Sequence, residues 1–116
     1  KETYGTTGTR IALRVFGGFA FESKDANAKD IATIGYRKGV PMGGDLTSPP
    51  IGKAPALLIY AAKDPLSGNL DRIQVVKGWM DASGKTQQRV YDVAGSGDRK
   101  IGAEQRIARN VTSHER

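Results

Sequence analysis

The 116 residues predict a mainly β protein, an antiparallel β-sandwich-like domain with one or two short helices. Three observations lead there. Apolar residues alternate at Ile11, Leu13 and Val15; a continuous apolar run, "ALLIYAAK", fills 56–63; and two more strand-length stretches follow it, separated by turn residues. Fifteen glycines and an aromatic content of 7% fit a modest core with many turns.

The elements follow in order. In "GTRIALRVFGGFAFE" (8–22), Ile11, Leu13 and Val15 share one face and Arg10, Ala12 and Arg14 the other, so a half-buried strand is expected with its core on the Leu13 side. Gly17-Gly18 reads as a bulge or bend, beyond which Phe19 and Phe21 resume period two. Residues 23–38 change character. Ser23 or Asp25 is placed to cap a short helix carrying Ala28, Ile31, Ala32 and Gly35 at helical spacing.

Residues 39–55 hold Pro41, Gly43-Gly44, Pro49-Pro50, Gly52 and Pro55, and predict a long loop around one short strand at most. Gly43-Gly44 is expected to turn the chain tightly into a strand. The 56–63 run then reads as a central strand buried on both faces. "DPLSGNL" supplies a turn, "DRIQVVKGW" (71–79) a strand with Ile73, Val75 and Trp79 on one face, Asp81-Ala82-Ser83-Gly84 another turn, and "TQQRVYDVA" (86–94) a third strand with Val90, Tyr91 and Val93. Strands joined this way predict a three-stranded meander. The β-rich domain spans 1–97. Residues 98–116 form a polar tail in which Ala103, Ile107 and Val111 could line a short helix if it docks. So few strands leave sheet edges open, which invites pairing with a second copy through those edges or by strand exchange.

The net charge of +6 is spread as +2, +2, 0 and +2 over residues 1–24, 25–63, 64–97 and 98–116. No segment concentrates it, so nucleic acid is disfavoured as a partner, although a basic module for a polyanion stays open as the second reading. Arg37-Lys38 and Arg99-Lys100 are the places where an anion or partner would be met; solvated charge is their ordinary role. Cysteine is absent, which excludes disulfides and thiolate chemistry. No apolar run reaches the ~20 residues of a membrane span. The chain opens Lys1-Glu2-Thr3 without an initiator Met, as expected of a chain that has lost a leader or of a piece of a longer protein.

Motifs for chemistry fail individually. In a phosphate loop Gly52-Lys53 would be followed by Ser or Thr and preceded by Gly at 47, but Ala54 and Thr47 stand there. "GSGDRK" offers Gly95 and Gly97 but Lys100 where the third glycine belongs. The one histidine, His114, lies near the end, and Asp45, Asp64, Asp71, Asp81 and Asp92 lack calcium-loop spacing and sit where turns need them. No nucleophile stands in a G-x-S-x-G elbow. Asn110-Val111-Thr112 fits the glycosylation triplet, a pattern of little specificity. Trp79 is expected in the core, with a stacking platform for a sugar or base as the alternative. No cofactor, metal or catalytic residue is assigned, and the chain is not expected to be an enzyme.

Three stretches carry a family likeness: "KETYGTTGTRIALRVFGGFAFE" (1–22), "DIATIGYRKGVPMGGDLTSPPIGKAPALLIYAAKDPLSGNLDRIQVVKGW" (30–79) and "RVYDVAGSGDRK" (89–100). Together they resemble the C-terminal region of the domain-of-unknown-function 3604 family, large exported bacterial proteins. The likeness stops at Lys100. It implies an exported or periplasmic parent whose upstream domain is similar to the polymerase-and-histidinol-phosphatase type, a metal-dependent phosphoesterase-like barrel with His-x-His ligands. None of those ligands stands here. The resemblance therefore implies a non-catalytic β-rich piece with a structural or interaction role, its native partner being that upstream domain.

Overall fold

A computed structural model describes residues 4–95. Those residues are mainly β: five strands in two antiparallel sheets, one α-helix and one 3-10 helix. The chain divides into two compact units, Lys1–Asp64 and Pro65–Arg116. The tail, with its expected helix, lies outside the described residues.

The first unit holds strands β1 (Ala12–Gly18), β2 (Val40–Pro41) and β3 (Ala56–Ala62) in the order β2-β1-β3. β1 is therefore central. The apolar run of β3, expected in the middle and covered on both faces, is an outer strand in which only Leu58 is buried while Leu57 and Tyr60 are exposed. It pairs with β1 from Ala12↔Ala62 to Gly18↔Ala56 and makes no ladder with the next strand, so the three-stranded meander does not form. Nine residues, 63–71, separate β3 from the following strand. A connection of that length does not force adjacent pairing as a two-residue turn would.

Burial also falls on the other face of β1 from the one that alternation suggested. Leu13 and Val15 are half-buried, whereas Phe16 is 3% exposed and its register partner Leu58 is 5% exposed. The reason is the helix α1 (Ile31–Lys38), which packs on that side with Gly35 against the Phe16 ring. A β-carbon at Gly35 would overlap the ring, so this position needs glycine. Gly17 and Gly18 stay in register with Leu57 and Ala56 rather than forming a bulge. Gly18 is instead a point of close approach, where an added β-carbon would lie 2.6 Å from the Lys38 carbonyl oxygen. After it the chain bends away at Phe19-Ala20, so Phe19 and Phe21 do not continue the strand.

Asp30, rather than Ser23 or Asp25, caps α1: its carboxylate accepts from the Thr33 N–H at 3.0 Å and the Thr33 hydroxyl at 2.6 Å. Ser23 opens a separate 3-10 helix, Ser23–Asn27. Beyond α1 lies the one short strand expected within 39–55. The turn at Gly43-Gly44 comes after that strand instead of before one, with the Gly44 N–H donating to the Pro41 carbonyl at 3.0 Å and Gly43 at φ +84°. This is a reversal made possible by glycine's positive φ.

The second unit is built on the hairpin of β4 (Arg72–Met80) and β5 (Thr86–Gly95). Their pairing runs from Met80↔Thr86 to Arg72↔Gly95, with a shift between Ile73 and Gln74 that leaves Val93 unopposed, a bulge on β5. The loop closes as expected: the Gly84 N–H donates to the Asp81 carbonyl at 2.9 Å, and Gly84 takes φ +80°.

Candidate functional site

The cations singled out by sequence part company. Lys38 turns inward from the last turn of α1, and its ammonium donates to both oxygens of Asp25 at 3.0 and 2.8 Å. Asp25 is buried and also accepts the Glu22 N–H at 2.8 Å. Its carboxyl is held below the ordinary value, first by the Lys38 hydrogen bond and then by the Glu22 backbone. These contacts tie the 3-10 helix to the end of α1. Arg37 is exposed on the same turn, and Arg99 and Lys100 lie outside the described residues. Of the two described cations, Lys38 is thus held inward on Asp25 while Arg37 stays exposed beside it.

An open cleft of about 740 Å³ lies beside Phe16, with Arg14, Tyr4 and Tyr36 among its lining. Among the described residues Arg14 is the one charged lining residue, and a lone guanidinium offers binding at most. Among the described residues no three His, Cys, Asp or Glu side chains converge as a metal site would require.

The hairpin gathers groups that the sequence scatters. Register places Val75↔Tyr91, Lys77↔Arg89 and Trp79↔Gln87 directly opposite one another, so these six side chains share one face. Trp79 is 42% exposed and Tyr91 40%, which overturns the expectation of a core tryptophan. The Lys77 ammonium lies 5.2 Å from the Trp79 ring centre, and the Arg89 guanidinium 5.0 Å from that of Tyr91. Acidic groups are held differently. Asp92 sits on the opposite face, accepting from Gln74 at 2.6 Å, and Asp81 is in the loop. The period-two rule could have found this face; the overall zero charge of 64–97 concealed it.

A comparison with protein families settles the chain's affiliation. The family described as "Protein of unknown function (DUF3604)" matches residues 1–114. The chain belongs to the DUF3604 family. No curated protein and no solved structure matches it. The DUF3604 match runs beyond Lys100, where the likeness read from the sequence stopped, so residues 101–114 are part of the family pattern as well.

Within the described part of this DUF3604 chain, Asp81 is the carboxylate most strongly held in its charged form. It accepts from the Ser83 hydroxyl at 2.6 Å, the Ser83 and Lys85 N–H groups at 3.0 Å each, and the Gln87 amide at 2.9 Å. The Ser83 and Gln87 side chains lead in lowering its pKa to about 2. A depressed folded-state pKa contributes stability above the unfolded value that is lost as pH falls through the folded one. Hairpin stability should therefore decline from about pH 4 to about pH 2, and Asp81→Asn should flatten that part of the decline. Denaturant midpoints measured at closely spaced acid pH values check this; an unchanged slope in the variant counts against it.

Proposed function

We propose that this DUF3604 chain has a non-catalytic structural or interaction role within a larger bacterial protein, packing beside a metal-dependent hydrolase-like domain. The observation that carries the reading is an imbalance of burial. Among the described residues Phe16 and Leu58 are the buried apolar side chains, while Tyr36 is 65% exposed, Leu57 50% and Tyr60 42%. Leu57 and Tyr60 lie on opposite faces of β3, so both faces of this sheet leave apolar side chains for a neighbouring domain to cover. The tied carboxylates add support: Asp25 holds Lys38, Asp30 caps a helix and Asp81 shapes a loop, all structural tasks.

The test uses the chain with and without the upstream domain of its parent. Alone, it should self-associate with rising concentration by light scattering, through the free edge of β3 or by strand exchange. Added upstream domain should suppress that association and, at a hundredfold excess over its Kd, stabilise the chain by about 2.7 kcal/mol. A monomer at every concentration that ignores the added domain overturns the reading.

One feature favours the second reading, a basic module for a polyanion: the Lys77–Arg89 pair on the exposed hairpin face. Affinity of that kind should fall steeply with salt. No helix among the described residues is long and apolar enough to cross a membrane.

A further inference from the structure

We infer that the Lys77–Arg89 face of the β4–β5 hairpin binds an acidic polysaccharide, with sugar rings laid along Trp79 and Tyr91 and its carboxylates met by the two cations. This deepens the polyanion reading and rests on it.

The cation pair is the first reason. Like charges directly opposite in an antiparallel ladder are unfavourable, yet Lys77 and Arg89 are register partners, both exposed, and neither is ion-paired with a carboxylate among the described residues. Their rings hold them in place: each cation lies over the aromatic side chain two residues further along its own strand. A polyanion laid along the face would neutralise both charges and give each cation an acceptor beside its ring.

Spacing is the second. Residues two apart along a strand are separated by about 7 Å, so Trp79 and Tyr91 flank the cation pair at that distance on either side and lie roughly 14 Å apart along the ribbon. The sequence of groups along the face is ring, cations, ring. A flat ribbon of this kind suits a chain laid across it rather than a small molecule enclosed in a pocket.

Charge density chooses the polymer. A stacked nucleic-acid strand advances about 3.4 Å per phosphate and would bring roughly four negative charges over that span, against two cations. A glycan bearing its carboxylate on alternate rings brings fewer charges and presents the apolar C–H faces of its pyranoses to the indole and phenol rings. The Asp81 carboxylate, hydrogen-bonded to Gln87 at 2.9 Å beside Trp79, further disfavours dense charge at that end.

Trp79 is the single tryptophan, so its fluorescence reports on the site directly. The whole chain is titrated with hyaluronan hexasaccharide, inorganic polyphosphate, cellohexaose and an oligothymidylate. The hexasaccharide should change Trp79 emission and bind best. Tyr91→Ala and Lys77→Gln should each weaken it on the order of tenfold, with unaltered far-ultraviolet circular dichroism and melting establishing that the hairpin is intact. Should Tyr91→Ala unfold the hairpin, Lys77→Gln and Arg89→Gln, which keep the strand register, decide the question alone. Equal binding of polyphosphate would leave the polyanion reading standing and overturn this one. Tighter binding of the oligothymidylate would assign the face to nucleic acid and overturn it too. An emission insensitive to all four probes would remove both readings.

Discussion

Replacing Phe16 by alanine should remove about 3–5 kcal/mol from the first unit, the range for deleting a buried aromatic side chain. The ring is 3% exposed, faces Leu58 in register, and meets the Tyr36 ring edge-on at 5.1 Å between centres. No other described side chain reaches into the same space from β1, because Gly18 follows on that face and Arg14 precedes it, exposed. A unit the length of Lys1–Asp64 is stable by roughly 3–10 kcal/mol at the usual value per residue, so the loss consumes much or all of it. The readout is hydrogen exchange at the α1 amides, for instance the Gly39 N–H bonded to the Gly35 carbonyl at 2.9 Å. Protection there should collapse in Phe16→Ala. A loss under about 1 kcal/mol would mean that α1 does not depend on this ring.

Local grammar was legible in the residues; long-range choice was not. The loop at Asp81-Ala82-Ser83-Gly84, the short strand within 39–55, and the strand character of β1, β3, β4 and β5 all follow from turn chemistry and apolar pattern. Which strands pair does not. The run 56–62 carries the same apolar residues whether it lies beside β1 or β4, and only the absence of a forced tight turn after Lys63 hinted at freedom to choose. The face of burial is ambiguous in the sequence for a related reason. Alternation marks Leu13 and Val15 as a set, but the opposite set includes Phe16, and a helix arriving from residues 31–38 decides between them.

The hairpin face was hidden by averaging. Residues 64–97 sum to zero charge, yet period two sorts Lys77 and Arg89 to one side and Asp92 to the other. Composition by segment cannot register a separation that exists only across the thickness of a ribbon. Lys38 is the reverse case. A cation in a helix's last turn reads as solvated, and its burial on Asp25 requires the 3-10 helix to fold back beside it, a contact between residues thirteen apart.

Gly35→Ala should invert the usual sign of its substitution. In an exposed helix this change stabilises by about 1 kcal/mol, because alanine gives up less backbone entropy than glycine. Here the new methyl would fall among the Cγ, Cδ2 and Cε2 atoms of Phe16, held from behind by its sheet and at its edge by Tyr36. Overpacking of this kind typically costs 1–3 kcal/mol, and a ring fixed on several sides puts the cost at about 3 or more, well above the helical gain. The contact is tested by a cycle with Phe16→Ala, measured with an osmolyte present so that the weakened chain stays folded. With the ring gone the obstacle is gone, and Gly35→Ala should become stabilising by about 1 kcal/mol in that background. A destabilisation of the same size in both backgrounds would place the cost in the helix itself. A gain in both would show that α1 can lift from the sheet, and that the glycine at 35 is not what allows this helix to cover Phe16.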